Sequence, residues 1–295
     1  MLYSNCKVKY IELLEPVDRN FGVEFYEKSM ERRKFKNLKL KLIIFAVLIC
    51  IGCIFSFYQN YHIIVTEYEY KADFNCRIVQ ISDLHNQLFG IKQERLIDEV
   101  RECAPDIIFV TGDVVDSGHT RYENALVFFE RALEIAPVYY ITGNHEDWLL
   151  GDEFNNFLSK VEAMGVYYID GKVISLENMI IAGTDGGFRV GNYNWNEDDK
   201  LKILLAHEPA RYANYASVGA DIVFYGHVHG GQAIIPGKGG LISPDMEFFP
   251  DLYKGEYHFG DMTMYISAGL GNSVLPLRIN NYPEIVVVDI INSQS

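Results

Sequence analysis

The stretch Asp221-Ile222-Val223-Phe224-Tyr225-Gly226-His227-Val228-His229-Gly230-Gly231 joins an apolar run to a glycine loop carrying two histidines. The run reads as a short buried strand, so the histidines stand where a strand exits into a loop. In extended chain, residues two apart project to the same face, with Cα atoms roughly 6.5–7 Å apart. Two imidazoles so placed can grip one metal ion, or one ion each of a pair about 3.5–4 Å apart. The glycines let the backbone turn sharply beneath such a cluster and let a ligand come close. A lone His-x-His is more often structural than metal-binding, so the reading turns on what the other strand ends carry.

Upstream, strands and helices alternate. Arg77-Ile78-Val79-Gln80-Ile81 reads as a strand, Ile91 to Cys103 has helical spacing, and Asp106-Ile107-Ile108-Phe109-Val110 is a second strand. Glu123 to Ile135 is a second helix, Val138-Tyr139-Tyr140-Ile141 a third strand and Glu153 to Met164 a third helix. Strands joined by helices of that length imply parallel pairing through right-handed crossovers. Beyond Gly165 the strands become short and closely spaced: residues 166–169, 179–182, 202–205, 221–224, 262–266 and 284–290. This half reads as a β-rich layer packed against the first.

Functional groups of open α/β sheets gather beyond the carboxyl ends of the strands. Here those ends read Ser82-Asp83-Leu84-His85, Thr111-Gly112-Asp113, Thr142-Gly143-Asn144-His145-Glu146, Leu205-Ala206-His207-Glu208 and Gly226-His227-Val228-His229. Singly, an Asp there is a helix cap and a lone His a satisfied structural residue. Five coincidences, using five of the eight histidines, point instead to one metal centre.

The ordered set Asp83-x-His85, Gly112-Asp113-x-x-Asp116, Gly143-Asn144-His145-Glu146, His207 and Gly226-His227-x-His229 resembles the signature of the calcineurin-like metallophosphoesterases, over residues from about 76 to 291. Gly230-Gly231-Gln232, Phe248-Phe249-Pro250 and Gly269-Leu270-Gly271-Asn272-Ser273 resemble the membrane-anchored YkuE/YaeI/LpxG-like branch, although Ala268 stands where that branch carries arginine. The resemblance implies an α/β fold of two packed mixed β-sheets flanked by helices. It also implies two divalent metal ions, one held by Asp83, His85 and His229 and the other by Asn144, His207 and His227, with Asp113 bridging them. A mixed oxygen and imidazole set suits Mn²⁺, Fe or Zn²⁺ better than Ca²⁺. Water between two such ions ionises near pH ~7 and supplies the nucleophile. His145, next to a ligand without being one, is the implied general acid, and Asp116 the residue that orients it. The family's protein phosphatases have an arginine after that aspartate; here it is Ser117, which argues against phosphoprotein substrates. His62, His119 and His258 match nothing and read as surface or packing residues.

The amino-terminal part has a different character. From Leu42 to Tyr58 the chain runs seventeen residues without a charge, the lower limit for a bilayer span, and snorkelling of Lys39 and Lys41 would extend it. A buried core helix and a cleaved signal peptide are the rival readings. Against the first, Arg32, Arg33, Lys34, Lys36, Lys39 and Lys41 precede the run, whereas the first charges after it are Glu67 and Glu69. That asymmetry predicts a single-pass transmembrane helix over 42–58, a cytoplasmic basic segment over 1–41 and an extracytoplasmic catalytic domain over 76–295. Against the second, no small-x-small cleavage site follows. Arg32-Arg33-Lys34-Phe35 also resembles a twin-arginine export signal, with Lys36 where an apolar residue is usual. Translation from Met1 and from Met30 both stay open, the second leaving 1–29 untranslated. Residues 59–75 form a juxtamembrane linker with a strand near 63–70; fully extended they reach about 60 Å.

At 295 residues and 49% hydrophobic, the chain can bury one large core or two small ones. Its net charge of −14 divides into +4 for residues 1–41 and −18 for the rest. So acidic a catalytic region repels nucleic acid, and none is expected as partner. Five cysteines with no second CxxC to pair with that of Cys50 and Cys53, and no tight Cys/His pairing, argue against a structural zinc ribbon. Cys76 and Cys103 flank the first strand and helix; a disulfide and two buried thiols are both open, the thiols being favoured. The expected function is membrane-anchored hydrolysis of a phosphodiester or pyrophosphate bond, in an envelope or lipid-linked substrate. The alternatives are a broad phosphomonoesterase and a metal-binding protein without turnover. Retention of both His145 and Asp116 argues against the last, since neither is needed merely to hold metal.

Overall fold

The computed structural model describes residues 19–118, 122–149, 152–184, 195, 199–209, 218–244, 246–272 and 278–293. The chain forms two compact units, residues 1–55 and 56–295. A single long helix α1 (Arg19–Tyr61) accounts for the described part of the first unit and ends inside the second. Its apolar window is long enough to cross a membrane, and none of it is buried. The helix runs well past the amino end of the 42–58 stretch and three residues past its carboxyl end, because the Lys, Arg and Glu residues that precede the stretch are themselves good helix formers.

In the second unit the chain enters strand β1 (Ile64–Ala72) two residues after α1 ends. There is therefore no long tether: most of the expected linker is sheet. β2 (Cys76–Ile81), α2 (Glu94–Glu102), β3 (Ile107–Thr111), α3 (Glu123–Ala132) and β4 (Val138–Ile141) follow. A short α4 (Asn144–Asp147), α5 (Glu153–Met164) and β5 (Tyr167–Tyr168) complete the alternating half. α2 begins three residues later than its spacing predicts, because Lys92 and Gln93 adopt left-handed backbone. β6 (Val173–Ser175), β7 (Met179–Gly183), β8 (Leu201–Leu205) and β9 (Ile222–Tyr225) come next, then β10 (Ile234–Ile235) and β11 (Gly239–Gly240). β12 (Gly255–Phe259), β13 (Met262–Ile266) and β14 (Glu284–Asn292) end the chain.

Two mixed six-stranded sheets result, ordered β1-β14-β2-β3-β4-β5 and β12-β13-β9-β8-β7-β6. β2 through β5 are mutually parallel, as are β7, β8, β9 and β13. The division at Gly165 needs correction: β5 and β14 both belong to the first sheet. β14 lies antiparallel to β2 and parallel to β1, closing the edge that β2 would otherwise expose.

Alternation along the strands sorts the core into layers. Ile78, Phe109 and Tyr139 of the first sheet pack against Ile203, Phe224 and Tyr265 of the second. Val79, Val110 and Tyr140, one residue on, face Leu96, Val100, Phe128, Phe129 and Phe157 of the helices. Because both faces of the first sheet are covered, its parallel strands read as continuous apolar runs. Their carboxyl ends meet those of the second sheet through polar bridges. Gln80 Nε2 donates to Tyr225 O at 2.8 Å and to Thr111 Oγ1 at 2.9 Å, and the His207 ring contacts Thr111 O at 2.8 Å.

Candidate metal centre

Each ligand-type residue named from the strand ends lies at this shared edge. Asp83 and His85 follow β2, Asp113 follows β3, and Asn144 opens α4 after β4; His207 follows β8, and His227 and His229 follow β9. The loops are laced together by backbone bonds, Asp83 N to Gly112 O at 3.0 Å and His85 N to Asp113 O at 2.9 Å. His227 N donates to both carboxylate oxygens of Asp83, at 3.0 and 3.1 Å, and so joins the two sheets across the site.

Five of these residues, Asp83, His85, Asp113, His227 and His229, have positive φ, between 46° and 70°. For residues other than glycine such backbone costs on the order of 1 kcal/mol each, and it persists where surrounding structure over-determines it. Gly226 shows how tightly the loops close. A Cβ there would lie 1.9 Å from Ser82 Oγ and 2.6 Å from Asp83 Oδ2, so only glycine fits.

The side chains converge in two outer groups joined by a third, His85, Asp113 and His145, whose donor atoms also lie within 4.8 Å of one another. In the first, Asp83, His85 and His229 offer donor atoms within 4.8 Å of one another, and the facing Nε2 atoms of His85 and His229 are 3.1 Å apart. In the second, Asp113, His207 and His227 meet the same limit. Asn144 Oδ1 joins it at 3.2 Å from His207 Nε2 and 2.9 Å from His227 Nδ1. Asp113 stands between the groups, with Oδ2 3.6 Å from His85 Nε2 and 3.3 Å from His207 Nε2. All seven residues are buried. Donors that share one ion at about 2.1 Å lie roughly 3–4 Å apart, so the spacing and the N/O donor set both fit divalent transition-metal ions.

The electrostatics is that of a buried anion among imidazoles. Burial disfavours the charge on Asp113, but the adjacent His207, through charge and hydrogen bond, and His85 hold its carboxyl far below the usual range. Burial likewise opposes protonation of His207, yet the Asp113 carboxylate raises it to about 10. Burial dominates at the other group, lowering His229 to about 4 and His85 well below its usual value.

His145 lies beside the cluster, its ring edge-on to His85 at 4.6 Å and next to Trp148 at 4.9 Å. Its amide donates to Asp113 Oδ1 at 2.9 Å. Nδ1 is 3.5 Å from Asp116 Oδ1 but only 3.2 Å from both the amide and the hydroxyl of Ser117. Accepting from that amide leaves Nε2 as the proton-bearing nitrogen of the neutral ring. The contact by Ser117 is one that sequence reasoning missed; only its departure from arginine was visible.

Glu146, quoted from the sequence only as part of a motif, has a role that the sequence did not reveal. Fully buried, it accepts from the amides of Asp113 at 2.8 Å, Gly143 at 2.7 Å and Val115 at 3.1 Å, fastening the β3 loop to the β4 loop. Burial and the Asp113 charge push it up to about 8. Behind Asp83, the buried Arg278 donates to Ala268 O at 3.1 Å and Gly271 O at 2.6 Å, and Gly271 N donates to Asp83 O at 2.6 Å. His62 and His258 stand outside the cluster, on Tyr282 and Thr263, and His119 lies outside the described residues. Cys76 and Cys103 are free thiols, each raised to about 11 by burial.

Residues 76–231 match the calcineurin-like phosphoesterase family, a span that contains every residue of the cluster. The metallophosphoesterase YkuE of Bacillus subtilis is 30% identical, over 88% of this chain and 97% of its own length. The phosphodiesterase YaeI of Escherichia coli is 27% identical, over 73% of this chain and 82% of its own. A transmembrane protein with a metallophosphoesterase domain from Danio rerio is 26% identical, over 88% and 64%. Matched through the whole ligand-bearing span and along nearly all of the Bacillus relative, this chain belongs to the calcineurin-like phosphoesterase family of metal-dependent phosphate-ester hydrolases.

Proposed function

We propose that the protein is a membrane-anchored phosphodiesterase or pyrophosphatase with two divalent metal ions. Its substrate would be an envelope or lipid-linked phosphate. The observation that carries the reading is a run of donor groups linked through His85 and Asp113: Asp83, His85 and His229, then His85, Asp113 and His145, then Asp113, His207 and His227, with the His145 ring edge-on to His85. Asp83, His85 and His229 would hold one ion and Asn144, His207 and His227 the other, with Asp113 touching both. Bound there, the ions would supply Lewis acidity toward the phosphoryl oxygens and lower the pKa of water toward neutrality.

The chain's own groups do the rest. His145 Nε2 is the proton donor to the leaving oxygen, and the Ser117 amide and hydroxyl, each 3.2 Å from Nδ1, fix the ring's orientation beside Asp116. Glu146 fixes the Asp113 amide, so the bridging carboxylate keeps its place between the groups. Burial of the donors excludes bulk water, which strengthens every charge interaction in the site. Ser117, where the family's protein phosphatases have an arginine, argues against a phosphoprotein substrate. The E. coli relative is named a phosphodiesterase, which favours the diester reading. The charge asymmetry around residues 42–58 favours an outward catalytic domain, and a carboxyl-terminal reporter fusion reads that orientation.

The test uses the full chain in detergent, stripped with chelator and reloaded with Mn²⁺, against bis(p-nitrophenyl) phosphate and p-nitrophenyl phosphate. Restored hydrolysis with the diester preferred is expected. A monoester preference would move the assignment to a phosphomonoesterase, and hydrolysis of neither would remove the enzyme reading.

A further inference from the structure

The loop after His229 continues into a narrow ladder. Gly231 O accepts from the amides of Leu241 and Ile242, each at 3.1 Å, and Leu241 N donates to Ala233 O at 2.7 Å. A Cβ at Gly231, where φ is +67°, would lie 2.5 Å from Gly240 Cα, so this ribbon packs directly on the histidine loop. On one side Phe249 N donates to Leu241 O at 3.0 Å, and Phe248 bridges Ile242. On the other, Ile234 N donates to Ile279 O at 2.9 Å, and Asn280 N to Gln59 Oε1 at 3.3 Å. Rung by rung, the ladder leads from the last turn of α1 past the metal loop to residues 246–249.

It carries exposed apolar side chains at both ends: Met246 is 70% exposed, Phe248 66%, Phe249 45% and Ile279 43%. Large apolar residues gathered on an ordered element of a soluble unit mark an interaction surface. Its occupant is indicated by the chain itself. The apolar run ends at Tyr58, whose ring meets Tyr282 at 6.3 Å, while His62 meets the same ring at 5.7 Å. Asn60 is held by Gln87 and Asn272, each at 2.8 Å. The end of the run is thus fastened without slack to the first rung. Aromatic side chains settle where a bilayer meets water.

We propose that this ladder, through Met246, Phe248, Phe249 and Ile279, seats on the lipid bilayer beside the metal centre, so that amphiphilic phosphates reach the donors from the leaflet. The inference rests on reading residues 42–58 as a membrane span. His229 is two residues from Gly231, so the donors lie within roughly 10 Å of the ladder, within reach of a lipid headgroup phosphate.

The full chain is reconstituted into phosphatidylethanolamine–phosphatidylglycerol vesicles, with ordinary or acyl-brominated lipid. The emission that Phe248→Trp adds to the parent spectrum should be quenched about two-fold by the brominated lipid, as for a side chain at the acyl boundary. Met246→Trp should behave likewise. Tyr167→Trp, on exposed β5 at the opposite edge of the first sheet, should not. Equal quenching of the 248 and 167 probes would overturn the proposal. So would shielding of the 248 probe that grows with protein concentration in detergent, which would assign the surface to a second copy. Loss of the parent chain from vesicles on alkaline washing would defeat the span and the proposal together. Hydrolysis of bis(p-nitrophenyl) phosphate by the same vesicles checks the catalytic reading separately: quenching without hydrolysis would overturn only that reading.

Discussion

Gly226→Ala places a methyl group where the structure has no room. The new Cβ would stand 1.9 Å from Ser82 Oγ and 2.6 Å from Asp83 Oδ2, against about 3.4 Å for ordinary contact, so both side chains must move. Ser82 is fully buried and donates to Thr111 O at 3.2 Å; displacing it removes a bond worth about 1 kcal/mol. Shifting Asp83 loosens the His227 amide, a charge-assisted bond worth about 2 kcal/mol, and the crowding itself costs about 1–3 kcal/mol. Together these come to about 4–6 kcal/mol. At roughly 2–4 °C per kcal/mol for a unit of this size, the midpoint should fall by about 8–24 °C. Differential scanning fluorimetry of the detergent-solubilised chain measures the fall, and elemental analysis the bound metal. Adding Ser82→Gly removes the worse overlap while leaving that with Asp83. The double variant should therefore regain much of the stability but stay deficient in metal at the Asp83, His85 and His229 group. Unchanged stability and metal content in Gly226→Ala, or no recovery in the double variant, would refute this account of the loop.

His145→Ala should leave metal content intact and slow hydrolysis by roughly 10²- to 10⁴-fold, with a smaller loss on nitrophenyl esters, whose leaving group needs little protonation. Equal losses on good and poor leaving groups would remove the acid role. In the metal-free protein His207, raised to about 10, is charged at pH 6, whereas His229, lowered to about 4, is neutral. Metal must therefore displace a proton at the His207 group, and affinity there should rise about tenfold per unit between pH 6 and 7. At the Asp83, His85 and His229 group it should stay nearly flat. Calorimetric titration in two buffers of different protonation enthalpy counts the protons, and the same count for both ions would contradict the assignment.

Much of the site could be read in the sequence because the chemistry sits at positions the pattern exposes. The apolar run over residues 107–110 between turn signals reads as a strand covered on both faces, and the polar Thr111 and Asp113 that follow it fall at the sheet edge. The sheet to which Glu284–Asn292 belongs could not be read, since an apolar strand looks the same in either sheet. Its pairing with Ile64–Ala72, over 200 residues away in the chain, is settled by packing. The contact of Ser117 with His145 and the three amides gathered by Glu146 depend on loop geometry that no spacing encodes. Nor do two-residue strands such as Ile234–Ile235 carry a periodicity, so the pairing of the ladder beside the metal loop could not be read.

Asp113 belongs to one donor group with His207 and His227 and lies 3.6 Å from His85 of the other, so its replacement is the most direct test of a shared two-metal centre. Metal equivalents and turnover on bis(p-nitrophenyl) phosphate are measured on one preparation each of the parent chain and Asp113→Ala, after chelation and reloading with Mn²⁺. The parent should retain two equivalents, and the variant should lose metal from both groups together with all measurable turnover. A variant that lost a single equivalent, or that kept hydrolysing the diester, would contradict a bridging role for Asp113.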